Sequence, residues 1–242
     1  MSFGRRLVWR GYEDDAGRRS AGRTRQAAVS FAAPVRVYCR PGRPITLMES
    51  PKVNRQQAWQ ILTEFTDNDS LLKHALAVEA AMRHYARHFG EDEELWGVVG
   101  LLHDFDYQRW PEPPDHTRKG AEILRQRGAD PQIVGAVLSH GHWNRDQYPL
   151  DSPLRKTLFA VDELCGFLVA CALVRPQRLE GLAPKSVRKK LKQPSFAAAV
   201  SRDDVLAGAE VLGTDLNEHI QHCVAALQTV ADSLGLVPTS TV

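Results

Sequence analysis

The chain has 242 residues, a mass of 27.0 kDa and a formal net charge of +2. A hydrophobic content of 43%, together with this low net charge, excludes a disordered protein and provides enough apolar material for a core. Four widely spread cysteines exclude a dense disulfide scaffold and favour a reducing compartment.

Positive charge is concentrated in residues 1–47, which carry ten arginines, no lysine and three acids and therefore net +7. Residues 48–242 net −5. Glycine and proline are frequent in the basic segment and hydrophobic periodicity is lacking, which predicts a disordered extension. A nucleic-acid-binding arm, a transit peptide and an extension upstream of a natural start at Met48 are the alternatives. We favour the third, because folded character begins only after Met48, and we do not expect a nucleic-acid partner.

Membrane and secretion signals are lacking in the sequence. The most apolar run, residues 166–174, has nine residues, whereas a helix needs about 20 to cross a bilayer. The N-terminal arginines are not followed by the apolar segment of a signal peptide. We therefore expect a soluble, cytoplasmic protein without a membrane partner.

After the basic segment the apolar residues recur at helical spacing and no strand is indicated. A first helix is predicted over residues 54–65. A second begins near Asp69 or Ser70, both good N-caps, and stops at Gly90. A third follows the acidic run 91–94, which suits the positive end of a helix.

The helical pattern continues to the C-terminal region. A fourth helix is predicted over residues 117–127, and a fifth follows the Asp-Pro pair at 130–131. The Ser-Pro pair at 152–153 begins a long apolar helix that ends near Leu173. Two or three more helices are expected before Leu234. The predicted fold class is therefore all-α.

Histidines and aspartates fall on or beside the apolar faces of these helices. Taken singly, each has an ordinary explanation, since a core histidine can be satisfied by hydrogen bonds and an aspartate can pair with an arginine. Several of them on different helices, all facing one core, favour a shared metal site. Imidazole and carboxylate ligands together suit Mn, Fe, Co, Ni or Zn better than Ca. These residues are His74, His103, Asp104, His116, His140 and Asp162.

Four local words occur in the order LLHDFDY, HTRKGAEIL, VLSHGHW and AVDEL. With His74 before them, they resemble the HD-domain superfamily of metal-dependent phosphohydrolases over about residues 54–173. The resemblance implies an all-α HD-domain helical bundle with metal at its centre. We expect one domain over residues 48–242, in which residues 174–236 add helices to the C-terminal side of that core.

The resemblance also implies which residues bind metal. Members of the family bind one metal through the first His, the HD doublet and the last Asp. Some bind a second through extra histidines, with the doublet Asp bridging the two. The cofactor is then one or two divalent transition metal ions. Carried onto this chain, the first set is His74, His103, Asp104 and Asp162, and the second adds His116 and His140, with His142 as a possible extra ligand.

The chemistry that the resemblance implies is hydrolysis of a phosphoester in a small phosphorylated molecule, possibly a nucleotide. A metal-bound water has a pKa of about 7, far below that of bulk water, and supplies hydroxide at neutral pH. Arg118, Lys119 and Arg145 lie beside ligand positions and can bind phosphate, although ordinary surface charge explains them equally well. Asp106 is a candidate for proton transfer because it is close to the doublet in sequence.

Other activities fit the same ligand pattern. HD-like di-iron oxygenases share the six positions, and a non-catalytic regulatory module is a further alternative, although such a module does not need the complete set. The cyclic-dinucleotide branch called HD-GYP fits less well, because residues 105–107 read Phe-Asp-Tyr and the GYP word is missing.

Further histidines lie outside this pattern. His84 and His88 are four residues apart, but the arginines beside them indicate a solvated helix face. His219, His222 and Cys223 lie on an amphipathic C-terminal helix without a second ligand pair nearby, and we interpret them as packing residues.

Overall fold

The computed structural model describes residues 53–238. The predicted disordered extension over residues 1–47 and the proposed start at Met48 lie outside this range. Within it the chain forms ten α-helices and no strand, which confirms the all-α prediction. The helices are α1 Arg55–Phe65, α2 Asp69–Phe89, α3 Glu93–Leu102, α4 Asp115–Gln126, α5 Pro131–His140, α6 Pro153–Leu173, α7 Pro184–Leu191, α8 Arg202–Leu212, α9 Leu216–Gln228 and α10 Ala231–Leu234.

The ends of α2 show how the sequence sets helix boundaries. Its N-cap is Asn68, whose side-chain oxygen accepts a hydrogen bond from the Leu71 amide at 3.1 Å. The predicted caps, Asp69 and Ser70, are instead the first two helical residues. Gly90 ends α2 with φ of 72°, a left-handed conformation that glycine adopts without a steric penalty.

The helices α5 and α6 begin where the sequence predicts. The Asp130 carboxylate accepts from the Gln132 amide at 2.8 Å, and Ser152 Oγ accepts from the Arg155 amide at 3.4 Å. A proline follows each cap, where its missing N–H costs nothing.

The C-terminal part contains four helices, α7 to α10, so the prediction of two or three was wrong. Ser201 and Asp215 cap α8 and α9, and Gly213 ends α8 with φ of 68°. The helix α10 has only four residues, which is too short for a helical period to appear in the sequence.

Close helix contacts hold the centre of the bundle together. The helix α2 packs against α3, α6 and α9, and α6 packs against α8. A Cβ at Gly100 of α3 would lie 2.8 Å from Glu79 Cα, and one at Gly208 of α8 would lie 2.8 Å from Ala160 Cα. Backbone therefore packs directly on backbone, which leaves α2 and α6 little freedom to move.

An ion-pair network around one buried carboxylate joins the first three helices. Glu79 of α2 is buried, and its Oε1 lies 2.6 Å from Arg55 Nε of α1 and 3.0 Å from Arg83 Nε. Arg83 also reaches Glu94 of α3 at 3.0 Å. Because a buried carboxylate is costly without partners, this pairing fixes the position of α2 between α1 and α3.

The helix α9 is tied to the core by a buried histidine. His219 Nε2 donates to the carbonyl oxygen of Ala160 at 3.0 Å, and His219 Nδ1 accepts from the Tyr85 hydroxyl at 2.6 Å. Both ring nitrogens have partners, as the packing interpretation of His219 requires.

The most apolar run of the sequence contributes to the hydrophobic core. The run 166–174 falls at the end of α6, where Phe167 and Leu168 are fully buried. None of the helices within residues 53–238 combines the length and the apolar character that a membrane crossing demands.

Candidate metal centre

The structure brings all six predicted ligand residues together. They come from α2, the end of α3, the start of α4, the end of α5 and the middle of α6. Potential ligand atoms within each of two groups lie within 4.8 Å of one another. Group one comprises His74, His103 and Asp162, and group two comprises Asp104, His116 and His140.

Group one is arranged around one carboxylate oxygen. Asp162 Oδ1 lies 3.0 Å from His74 Nε2 and 3.4 Å from His103 Nε2. Its second oxygen, Oδ2, lies 3.4 Å from His140 Nδ1, which belongs to group two. Asp162 therefore faces both groups.

Asp104 also faces both groups, with one oxygen each. Its Oδ2 lies 3.6 Å from His103 Nε2 in group one. Its Oδ1 lies 3.3 Å from His116 Nε2 and 2.9 Å from His140 Nε2 in group two. This divergence is what a carboxylate that bridges two ions requires.

The donor atoms fit a metal better than they fit one another. His103 Nδ1 donates to the Gly100 carbonyl at 2.8 Å, so in the neutral ring Nε2 carries a lone pair. That lone pair faces Asp162 Oδ1 at 3.4 Å and Asp104 Oδ2 at 3.6 Å, and His103 Nε2 is buried without a hydrogen-bond partner. Two acceptors that face each other in a dry interior need a cation between them, which a metal ion supplies.

The carboxylate of Asp106 orients the ring of His116. His116 Nδ1 donates to Asp106 Oδ1 at 3.0 Å, which directs Nε2 toward Asp104. Asp106 is fully buried, and its Oδ2 accepts from the amides of Thr117 at 2.9 Å and Gly120 at 2.8 Å. Metal-bound histidines in proteins are oriented by such a carboxylate on the outer nitrogen.

In the metal-free chain, protons take the place of the cation. Burial disfavours the charged ring of His103, but Asp104 and Asp162 outweigh burial and raise the pKa of His103 to about 9. Burial opposes the charged form of His116 too, and hydrogen bonds to Asp104 and Asp106 raise its pKa to about 10. The pKa values of the Asp104 and Asp162 carboxyls are lowered, against the effect of burial, chiefly by His103 and His140 respectively.

Asn144 links the segment after α5 to the start of α4, beside group two. The sequence pattern did not indicate this residue. Asn144 is buried, and its Nδ2 donates to Thr117 Oγ1 at 2.9 Å and to the Leu138 carbonyl at 3.1 Å. Thr117 has φ of 67°, a strained conformation for a β-branched residue, and it follows His116 directly. The strained turn breaks the helical geometry at the start of α4 and directs His116 inward.

The remaining predicted residues lie outside the two groups. His142 is exposed and packs against Trp143, so the structure does not bring it to the ligand groups. Arg118 Nε donates to Asn144 Oδ1 at 3.0 Å, and Lys119 Nζ lies 3.4 Å from Glu122. Arg145 stacks over the Phe159 ring at 4.6 Å.

Two aromatic rings border His116 that sequence analysis also missed. Tyr107 lies 5.2 Å from the His116 ring between centroids, and Trp143 lies 5.8 Å from it. Both follow a predicted ligand within three residues, but nothing in their spacing distinguishes them from core aromatics.

Comparison with known families identifies the middle of the chain. Residues 71–166 match the family described as HD domain. The match begins in α2 before His74 and ends in α6 after Asp162, so it contains all six candidate ligands. Residues 71–166 of the chain are thus identified as an HD domain, consistent with the resemblance that the sequence shows over this region. The search of curated proteins and the search of solved structures each returned no match to the chain.

Proposed function

We propose that the chain is a metal-dependent phosphohydrolase that cleaves a phosphoester in a small phosphorylated molecule, with nucleotides as the first class to test. The HD-domain family consists mostly of metal-dependent hydrolases, and the buried His and Asp groups of this chain can hold metal. We propose further that the hydrolysed bond is a phosphoester and that two ions bind.

One observation carries the proposal. The two oxygens of Asp104 point to different ligand groups, at 3.6 Å from His103 Nε2 and at 2.9 Å from His140 Nε2. A pair of divalent ions about 3.5–4 Å apart is a recurrent arrangement for displacement at phosphorus. A carboxylate shared between two ligand groups is what sets such a separation.

The roles divide between the ligands and the residues behind them. Bound divalent ions supply Lewis acidity and a water of lowered pKa near neutral pH. His74, His103, Asp104 and Asp162 would hold the first ion, and His116 and His140 would complete the second set. Asp106 holds the proton on His116 Nδ1 and so keeps Nε2 available as a ligand. Proton transfer by Asp106 to substrate stays a prediction, and its full burial supports the positioning role instead.

We propose that three basic side chains beside group two bind the phosphate of the substrate. Arg145 lies over Phe159, which is on the same face of α6 as Asp162, three residues earlier in the helix. Arg118 is tied to Asn144 beside the His116 turn. Lys119 faces Glu122 along the surface of α4 and is the weakest of the three candidates.

Metal-dependent phosphate release tests the proposal. We would purify the full chain without oxygen, measure its metals, and assay a nucleotide panel after reconstitution with Mn²⁺, Co²⁺, Fe²⁺ or Zn²⁺. We expect phosphate release that needs metal and falls by at least ~100-fold in Asp104→Ala, because both ligand groups lose an oxygen.

Asp146→Ala is the matched control, since Asp146 is an exposed aspartate two residues after Asn144 and should leave release unchanged. If the chain instead binds two irons and consumes oxygen, it is a di-iron oxygenase and the hydrolase proposal is wrong. A chain with no metal affinity would be a non-catalytic module, and the proposal would then be wrong.

A further inference from the structure

A second cluster of histidines lies where α2 meets α9. His84 Nε2 lies 2.9 Å from His222 Nδ1, and the ring centroids of the two histidines are 5.1 Å apart. His88, one turn after His84, has its centroid 4.8 Å from that of His222. The cluster is reached from solvent, because His88 is exposed and the other two rings are partly exposed.

We propose that His84, His88 and His222 form a transition-metal site on the α2–α9 surface, independent of the central HD groups, that takes Zn²⁺ or a similar imidazole-binding ion.

The ring spacing fits imidazoles that share one ion. With metal–nitrogen bonds of about 2.0–2.1 Å at tetrahedral angles, two ligating nitrogens lie about 3.3 Å apart and the ring centroids about 5 Å apart. His84 and His222 are within a few tenths of an ångström of both values. The centroids of His74 and His103, which belong to the same central group, are 5.2 Å apart, which is nearly the same spacing.

The hydrogen bond between His84 and His222 marks the place of the ion. One of the two nitrogens carries a proton and the other a lone pair. On metal binding, that proton exchanges through water to the outer nitrogen of its own ring, so two neutral rings present two lone pairs. The pKa of His84 is lowered by burial and by the neighbouring His222, Arg87 and His88, which keeps its ring in the neutral, ligating form.

A carboxylate lies near the outer nitrogen of the His222 ring. Glu218, one turn earlier on α9, places Oε1 3.8 Å from His222 Nε2. When His222 Nδ1 binds metal, its Nε2 carries the proton and faces this oxygen. Metal-bound histidines in proteins commonly donate their other N–H to a carboxylate in this way.

The arginines beside the cluster turn toward other partners. Arg83 pairs with Glu79 and Glu94, and Arg87 pairs with Glu93 of α3. The positive charges that made this stretch resemble a plain solvated face are therefore compensated. His88 is exposed, and the proposed site requires its ring to turn toward the other two.

Zinc uptake by the full chain tests the proposal. Metal-stripped wild type, His88→Gln, His222→Gln and His142→Gln would be titrated with zinc sulfate by calorimetry, and bound zinc would be counted after desalting. His142 is the matched control because it is an exposed histidine outside all three clusters. We expect wild type and His142→Gln to bind about one ion more than either cluster variant, or to bind that ion at least ~tenfold more tightly.

A site-specific readout keeps the test independent of folding defects in the variants. Wild type would be treated with diethyl pyrocarbonate with and without zinc, and modified histidines mapped by mass spectrometry. We expect zinc to protect His88 and to leave His142 reactive. Equal zinc uptake by all four proteins, or equal modification of His88 with and without zinc, would overturn the proposal whatever the central groups do.

Discussion

Asp106 shows how one buried carboxylate can orient a candidate metal ligand. Its three hydrogen bonds go to His116 Nδ1 and to the amides of Thr117 and Gly120. An asparagine at this position retains the shape but offers only one acceptor oxygen. The carboxamide nitrogen must then face either the His116 N–H or the two amides, and each choice sets donor against donor.

For Asp106→Asn we therefore expect metal affinity of group two to fall about 10–100-fold while group one still binds. Titration of metal-stripped protein, followed by metal analysis, measures this. Asp146→Asn is the control because Asp146 is exposed. Unchanged affinity at both groups would show that Asp106 does not position His116.

Single residues also show what could be predicted from sequence. The apolar spacing and the order of motifs indicated six polar residues, and the structure brings all six together. The roles of Asn144 and Thr117 could not be predicted, for physical reasons. A threonine at φ of 67° is recognisable only from coordinates, since sequence signals for that conformation are glycine and asparagine. Two of the three contacts of Asn144 are with Thr117 and Arg118, which lie 27 and 26 positions earlier, and no local pattern records them.

At the scale of helices, the contact of α3 with α2 is where a small change should matter most. A Cβ at Gly100 would lie 2.8 to 2.9 Å from backbone atoms of Glu79 and Val78, which cannot move without shifting α2. The Gly100 carbonyl also accepts the hydrogen bond from His103. We expect Gly100→Ala to destabilise the metal-free protein by about 1–3 kcal/mol, measured by urea unfolding.

The same helix offers a control for this prediction. A Cβ at Gly97 would meet only the guanidinium end of Arg83, a side-chain end that can move once its ion pairs with Glu79 and Glu94 rearrange, whereas the backbone beside Gly100 cannot move alone. Alanine also gains about 1 kcal/mol over glycine within a helix, so Gly97→Ala should change stability by less than Gly100→Ala. Equal losses in the two variants would show that the backbone contact at Gly100 has no special weight.

Helix boundaries were the part of the fold that sequence indicated best. The caps at Asp130 and Ser152 are local signals, and each lies where it was predicted. The C-terminal helices were harder, because α7 and α10 are short and their breaks depend on packing against earlier helices. The angle at which α9 meets α2, which brings His84 and His222 together, follows from tertiary contacts alone.

At the scale of the whole molecule, metal loading should be coupled to proton release. With pKa values of about 9 and about 10, His103 and His116 carry protons at pH 8 in the metal-free chain. Both must lose them to bind metal, so we expect about two protons released per chain and an apparent affinity that rises with pH until about 10.

Calorimetric titration at pH 8 in buffers of different ionisation enthalpy measures this release. The variant His116→Gln should release about one proton fewer, because it lacks one of the two raised rings. Metal binding without proton release at pH 8 would contradict the electrostatic description of both rings.

The shared aspartates make the two ligand groups a single thermodynamic unit. An ion held by group one pins Asp104 and Asp162 through oxygens that His103 contacts, and the opposite oxygens of the same carboxylates face His140. On the proposed two-ion function, the first ion to bind would order both carboxylates for the second, while its charge would oppose the entry of another cation. The affinity of one group should therefore depend on whether the other group is occupied.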